Sequence, residues 1–351
     1  MRLNSSVSLP NICSAPASST AKAGEVFAPV CVVRPLVSFV IPVRNDALRL
    51  QRCLTSIAGN AYPRDLIEIV VVDNESTDGS AAAARNYGAI VIKSPGDSVA
   101  AHRNRGARAA LGSVIAFADS DHEIDRAWIE TAVAVLADPH VAATGSAYLT
   151  QPSPNWVQRH YDGMRSRPAR REEVEWLGSG NFAVKRAAFE KVGGFNAALT
   201  ACEDVDLCNR LRLAGHRIVA DPELRSVHFG DPRTLKALFF GELWRGRDNL
   251  RVTFSGPRTF RHLRSALLPI ADLMCIAAGA GMLLAGHPAI ALLLWTLALV
   301  PAGIKAAFIV RRQLRRGLVS AAQAFAVTVV FDLARAFALL ARGSHRARRT
   351  A

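Results

Sequence analysis

The sequence predicts an α/β protein: a doubly wound, mostly parallel sheet with flanking helices, followed by C-terminal membrane helices. Three observations carry this. Short apolar runs alternate with helically spaced segments between residues 36 and 121, as in a sheet crossed by helices. One run, Val114–Asp121 (Val-Ile-Ala-Phe-Ala-Asp-Ser-Asp), ends abruptly in two carboxylates. Beyond residue 264 come apolar stretches long enough to cross a bilayer.

In chain order, residues 1–35 are rich in Ser, Ala and Pro and lack an apolar signal core, so they read as a disordered leader. Leu36–Val43 reads as a buried strand with Pro42 marking its end, because strands covered on both faces are continuously apolar. Asp46–Ala58 has helical spacing at Leu50, Leu54 and Ile57. Ile67–Val72 is a second strand, stopped by the turn cluster Asp73-Asn74-Glu75-Ser76-Thr77-Asp78-Gly79. A helix to Tyr87, a strand at Ala89–Ile92 and a helix at Ser98–Leu111 lead to the Val114 run. Next come a helix from Asp125 to Ala137, a strand at Val141–Leu149 and a polar, Arg-rich loop at Gln151–Glu175. Gly178-Ser179-Gly180-Asn181 then precedes a strand and a helix ending at Gly193-Gly194-Phe195, and Glu203-Asp204-Val205-Asp206 opens a helix over Leu207–Ala214.

After Phe229 the character changes. Asp231–Phe260 reads as basic amphipathic helix, lying either in a membrane interface or on the preceding large domain. Ala266–Gly286 and Pro288–Val310 form a hairpin through Gly286-His287-Pro288. Its flanks are basic: Arg258, Arg261 and Arg264 before it, Arg311, Arg312, Arg315 and Arg316 after it. The positive-inside rule therefore puts the large domain in the cytosol. Val319–Ala341 contains Asp332 and Arg335 and precedes a basic tail, so it is a re-entrant or interfacial helix, or one whose charged pair faces its neighbours.

The net charge is +14. From Asp231 onward there are 18 Lys/Arg against 5 Asp/Glu, whereas the first 230 residues carry 25 against 24. The excess thus sits with the apolar runs and points to an anionic membrane surface. No zinc-finger spacing or aromatic RNA-binding stripe is present, which argues against nucleic acid as a partner. The six cysteines are scattered without a Cys-x-x-Cys, so neither a disulfide framework nor a zinc site is expected.

Several residues suit chemistry. Asp119 and Asp121, at the end of a strand and pointing the same way by strand alternation, suit Mg²⁺ or Mn²⁺ carrying a diphosphate, or else cap the next helix. Asp73 either accepts from a base or sugar hydroxyl or serves as an N-cap. Glu203-Asp204 is a helix cap or a general base, and His228 a core imidazole or a metal ligand.

From Leu36 to Phe229 the order of motifs resembles a family 2 glycosyltransferase of GT-A fold. The motifs are Val37-Ser38-Phe39-Val40-Ile41-Pro42-Val43-Arg44-Asn45, Val71-Val72-Asp73-Asn74-Glu75-Ser76-Thr77-Asp78-Gly79, Arg103-Asn104-Arg105-Gly106, Phe117-Ala118-Asp119-Ser120-Asp121, Gly193-Gly194-Phe195 and Glu203-Asp204-Val205-Asp206-Leu207. The resemblance implies that Asp73 contacts the nucleotide base, with Pro42–Asn45 lining the same pocket and Arg103 near the diphosphate. It implies Asp119 and Asp121 as the metal-binding Asp-x-Asp, with Asp121 the direct ligand, His228 facing metal or phosphates, and Asp204 as catalytic base. Processive members carry Gln-x-x-Arg-Trp, which Gly241-Glu242-Leu243-Trp244-Arg245 does not match, so single-sugar addition is expected.

The expected protein is therefore a GT-A domain over 36–230, an interfacial segment over 231–264, a hairpin plus third apolar helix over 265–342 and a basic tail over 343–351. The expected reaction is metal-dependent, inverting transfer from a nucleotide-sugar donor, a UDP-sugar, to a lipid-linked or cell-envelope acceptor at the cytoplasmic membrane face. A polyprenyl-phosphate acceptor is the alternative, and would need no strong base. A non-catalytic nucleotide-binding membrane scaffold would keep the cleft but tolerate loss of Asp121.

Overall fold

A computed structural model describes residues 34–341 except 97, 166, 258 and 313–316. Most of the leader, the basic tail, Cys13, Cys31 and the flanking Arg258, Arg315 and Arg316 lie outside the described residues. The strands are β1 (Val37–Val43), β2 (Ile67–Asp73), β3 (Ile90–Lys93), β4 (Val114–Ala118), β5 (His122–Ile124), β6 (Val141–Gly145), β7 (Leu149–Thr150), β8 (Glu172–Glu173), β9 (Asn181–Lys185), β10 (Arg217–Ala220) and β11 (Ser226–His228). The helices are α1 (Ala47–Ala58), α2 (Ser80–Asn86), α3 (Val99–Ala109), α4 (Trp128–Leu136), α5 (Trp156–Asp162), α6 (Arg186–Lys191), α7 (Glu203–Leu213), α8 (Leu235–Arg245), α9 (Asn249–Ser255), α10 (Phe260–Leu284), α11 (Pro288–Arg312) and α12 (Leu318–Ala338).

The main sheet runs β3-β2-β1-β4-β9-β6-β10-β8, with β9 and β8 antiparallel to their neighbours and the other pairs parallel. The central strands β1, β2 and β4 are buried on both faces, which is why they read as nearly unbroken apolar runs, whereas the edge strands β3 and β8 are exposed. Phe39, Ile41, Ile69 and Val71 face Leu50, Leu54 and Ile57 of α1 and Trp128 and Ile129 of α4. The alternate residues Val40, Val70, Ile115 and Phe117 face α3, α6 and α7 through Ala107, Phe189 and Leu207. Strand order reverses between β2 and β4 on either side of β1, the place where open α/β sheets leave a crevice at their carboxyl ends. Pro42 lies within β1, not at its end. There it pairs with Val72 of β2, past the last β1–β4 pair at Val40 and Phe117.

Other boundaries differ from expectation for identifiable reasons. Val141–Leu149 is not one strand: β6 joins the main sheet, while β7 joins a second sheet of order β5-β11-β7. The polar loop holds α5, whose start is fixed by a reciprocal capping box between Asn155 and Gln158. Residues 231–260 form two helices, since α8 stops at Gly246 and Asp248 opens α9.

Helices α10, α11 and α12 are long and apolar enough to cross a membrane. Helix α12 packs against α5, α8, α10 and α11. Val157, Tyr161, Leu238 and Val327 bring α5, α8 and α12 into one buried cluster. Asp332 pairs with Lys305 of α11, and Arg335 with Glu242 of α8 at 2.8 Å. Of the readings open for the third run, this is the one in which its charged pair faces its neighbours.

The fold is pinned near the crevice by Asn181. Its amide oxygen accepts from Trp128 Nε1 at 2.7 Å, and its Nδ2 donates to the carbonyls of Ser146 and Leu224 at 3.0 and 2.8 Å. Asn181→Leu strands three buried polar groups at once. A loss of about 3 kcal/mol is expected in denaturant unfolding of the detergent-solubilised protein, and a loss under about 1 kcal/mol would show that Asn181 is no such pin.

Candidate active site

The carboxyl ends of β2, β1 and β4 present the first group of predicted residues. Asp73, the last residue of β2, is 3% exposed and accepts from the Ser76 backbone N–H at 3.1 Å. It does not cap α2, whose N-cap is Gly79. Ser76 Oγ accepts from the Asn45 N–H, and Asn45 Oδ1 accepts from the Thr77 N–H. Asn45 has a left-handed backbone (φ 49), a conformation that Asn tolerates better than most residues. Asp46 next to it accepts from Ser120 Oγ at 2.9 Å. Asp73, Asn45 and the Asp119–Asp121 turn are thereby linked in one hydrogen-bonded rim.

The two carboxylates of that turn have different partners. Strand β4 ends at Ala118, and the chain turns so that the His122 N–H donates to the Asp119 carbonyl. Alternation therefore stops before Asp119. Asp119 accepts from Arg103 Nη2 at 2.6 Å, while Asp121 Oδ2 lies 3.3 Å from His228 Nε2 and 3.6 Å from Arg49.

Arg103 is 3% exposed, and its Nη1 donates to Glu203 at 2.7 Å. Its neighbour Asn104 exchanges two hydrogen bonds with the backbone of Phe195, at 2.7 and 2.8 Å, and the Arg103 guanidinium lies over the Phe195 ring at 5.6 Å. The Arg-Asn and Gly-Gly-Phe motifs are thus two halves of one clamp. Glu203 and Asp204 begin α7. The segment before them is held by Asp248, which accepts from Thr200 N–H, Thr200 Oγ1 and Ala201 N–H at 2.8, 2.7 and 3.1 Å. Burial and the adjacent Glu203 carboxylate push Asp204 up to about 7, outweighing its hydrogen bond from the Val205 N–H and the pull of Arg103.

Asp121, His122 and His228 each place one donor atom within 4.8 Å of the others. His122 and His228 are a directly opposed pair of the antiparallel β5–β11 ladder, their ring centroids 4.8 Å apart. His122 was not among the residues singled out from the sequence. Its only signal is its place one residue after Asp121, because the partner strand lies more than a hundred residues away. His122 Nδ1 is 2.7 Å from Ser226 Oγ, and burial followed by the charge of His228 holds its pKa down to about 4. His228 Nδ1 is 2.8 Å from Asp231. Burial alone would lower His228, but the Asp121 and Asp231 carboxylates outweigh it and hold it up to about 9.

Two glycines keep this space open. A Cβ on Gly230 would collide with Asp121 Oδ2 and sit 2.9 Å from His228 Nε2. A Cβ on Gly180 would sit 2.7 Å from Asp119 Oδ2 and 2.9 Å from His122 Nε2. At the other end of the same Gly178–Gly180 loop, a Cβ on Gly178 would be 3.8 Å from Asp204 Oδ2. One carboxylate and two imidazoles with donor atoms within 4.8 Å of one another suit a divalent transition-metal ion, and Asp119 Oδ2 lies against the same Gly180 as His122 Nε2.

The family model for glycosyl transferase family 2 matches residues 38–193, which include Asp73, Arg103, Asp119 and Asp121 but not Asp204 or His228. Glycosyltransferase AglE of Haloferax volcanii is 28% identical over 221 residues, 60% of this chain and 69% of that protein. The pre-mycofactocin glycosyltransferase of Mycobacterium tuberculosis is 32% identical over 215 residues, 56% of this chain but only 43% of its own length. Among solved structures, the mannosyltransferase PcManGT of Pyrobaculum calidifontis, in complex with GDP-Man and Mn²⁺, has a TM-score of 0.59 at 23% identity, covering 86% of this chain and 88% of that one. With a GT-A-like fold, a glycosyl transferase family 2 domain matched from β1 through α6 and relatives named as glycosyltransferases, the chain is a glycosyltransferase that carries a family 2 domain over residues 38–193.

Proposed function

We propose that the enzyme moves a sugar from a nucleotide-diphosphate donor, a UDP-sugar, to a hydroxyl of a lipid-linked or cell-envelope acceptor at the cytoplasmic face of a membrane, inverting the anomeric centre. The observation that carries this is the Gly178–Gly180 loop, which abuts Asp204 at one end and Asp119 with His122 at the other. Asp73, Pro42 and Asn45 bind the nucleoside end of the donor on the adjoining rim. Asp121, His122 and His228 hold Mg²⁺ or Mn²⁺, and two imidazoles in the set favour Mn²⁺. When bound, the ion supplies Lewis-acid stabilisation of the departing diphosphate. The archaeal mannosyltransferase of the same fold was solved with GDP-Man and Mn²⁺, which supports this donor and ion class.

Arg103 serves the donor indirectly, since its two terminal nitrogens are engaged by Asp119 and Glu203. Asp204 accepts the proton of the acceptor hydroxyl as that oxygen attacks C1. One displacement inverts the centre, and no second carboxylate need act as nucleophile. A base poised near 7 suits a hydroxyl acceptor; an acceptor phosphate, already ionised, would have no use for it. The acceptor's lipid would lie along α10–α12. In this reading α10 and α11 cross the bilayer as a hairpin, with α12 lying at the interface between that hairpin and α5 and α8.

Asp204→Asn should lower kcat by about 10²–10⁴-fold with the donor dissociation constant nearly unchanged. A collapse of donor affinity instead would make Asp204 a donor contact. Because burial raises its pKa, the active carboxylate form of Asp204 accumulates as pH rises. The kcat/KM of the native enzyme should therefore climb about tenfold per pH unit below about 7 and level off above it; a flat profile from pH 5.5 to 8 overturns the assignment. Asp121→Ala should abolish the Mn²⁺-dependent release of nucleoside diphosphate, and near-normal turnover would remove Asp121 from the metal site.

A further inference from the structure

We infer that Asp231, locked by Arg165, is a positioning residue that sets the ring orientation and tautomer of His228 for metal binding; the inference rests on the metal site proposed above. The Asp231 side chain is fully buried, and three contacts hold it. One carboxylate oxygen accepts from Arg165 Nη1 at 2.9 Å, and the other pairs with Arg165 Nη2 and lies 2.8 Å from His228 Nδ1. The Asp231 backbone carbonyl also accepts from Gln158 Nε2 at 3.2 Å. Arg165 is fixed in turn by Asp162 at 2.9 Å and by the faces of Tyr148 and Tyr161, whose centroids are 4.2 and 5.0 Å from its guanidinium carbon. Tyr148 completes the packing against the His228 ring at 4.6 Å.

A planar guanidinium forked onto a carboxylate fixes the carboxylate plane and leaves the oxygen nearer His228 one further fixed direction in which to accept. That direction is toward His228 Nδ1. When a metal replaces the proton on Nε2, the remaining ring proton stays on Nδ1, and Nε2 already faces Asp121, His122 and the space beside Gly230. A carboxylate behind a metal-binding histidine does this work in general, raising ligand basicity and fixing the tautomer. His122 has a weaker counterpart in the neutral hydroxyl of Ser226. The two imidazoles are therefore unequally supported, with His228 the stronger donor. A salt bridge that merely ties α5 to the segment after β11 would need no contact with the histidine.

The test is Mn²⁺ affinity of the full-length protein in detergent, read from the free-ion electron paramagnetic resonance signal, with nitrogen couplings of the bound ion recorded by electron spin-echo methods. Native protein should bind one Mn²⁺ with imidazole nitrogen couplings, and His228→Ala should weaken binding and lose one coupling. Asp231→Asn should weaken Mn²⁺ binding about 10–100-fold and reduce the His228 coupling while secondary structure by circular dichroism is retained. Arg165→Lys, which keeps the charge but not the fork, should give an intermediate loss, and it carries the test if Asp231→Asn does not fold. Affinities within threefold of native in Asp231→Asn, or in Arg165→Lys where only that variant folds, overturn the positioning role. Absence of saturable Mn²⁺ binding in the native protein overturns the metal site itself.

Discussion

The arrangement depends first on one buried guanidinium. Arg103 bridges Asp119, on the turn after β4, and Glu203, at the start of α7, through ion pairs of 2.6 and 2.7 Å. An arginine taken out of water costs several kcal/mol unless its donors are matched, and removing the buried partner, here Glu203, is typically destabilising by about 3–5 kcal/mol, with less at the more exposed Asp119. That penalty makes the distance between the two loops a fixed quantity. Asp121 and His122 follow Asp119 by two and three residues, and Asp204 follows Glu203 by one. The strained-looking Cys202, at φ 59 just before them, is tolerated because Asp248 fixes the backbone on its N-terminal side.

What could be read from the amino-acid order follows the range of the forces involved. Runs such as Ile67–Val72 and Val114–Ala118 declare themselves because burial on both faces leaves no polar position, and the carboxylates ending them mark the crevice without further information. Strand alternation does not govern Asp119 and Asp121, because the β4 ladder ends at Ala118. Helix α5 was hidden in a charged loop. Its signal was the capping box Asn155–Gln158 and not an apolar stripe, since its buried face meets α8 and α12 and carries polar His160 and Gln158. Opposition of His122 and His228 depends on a second sheet made of strands two or three residues long, and nothing local specifies it. Asp231, only three residues from His228, was within reach of local reasoning; Arg165 was not.

The C-terminal helices put the same logic to a different use. Glu242 is 1% exposed and receives Tyr161 Oη at 2.7 Å, Arg245 at 3.0 Å and Arg335 at 2.8 Å. Burial alone would raise its pKa, but Arg335 and Arg245 outweigh that and keep it ionised. Glu242 and Arg245 thus belong to a structural ion cluster joining α5, α8 and α12. An apolar helix free to slide in lipid could not satisfy such a cluster. Helix α12 is committed along one side to α5 and α8, and its charges are part of that commitment.

These two clusters share a member of the fold, which makes the arrangement more than a sum of parts. Helix α5 supplies Tyr161 to Glu242, and the residues just after it supply Arg165 to Asp231. Arg165 also lies over the Tyr161 ring, so the side chain that meets Glu242 at its hydroxyl supports Arg165 with its face. The apolar helices and the His228 side of the crevice therefore rest on the hydroxyl and on the face of one tyrosine. A displacement of α12 that pulled on Glu242 would reach the histidine through only rigid groups: a phenol ring, a planar guanidinium and a buried carboxylate. Each is held by at least two contacts, so the packing of α12 and the setting of His228 draw on the same chain of buried groups.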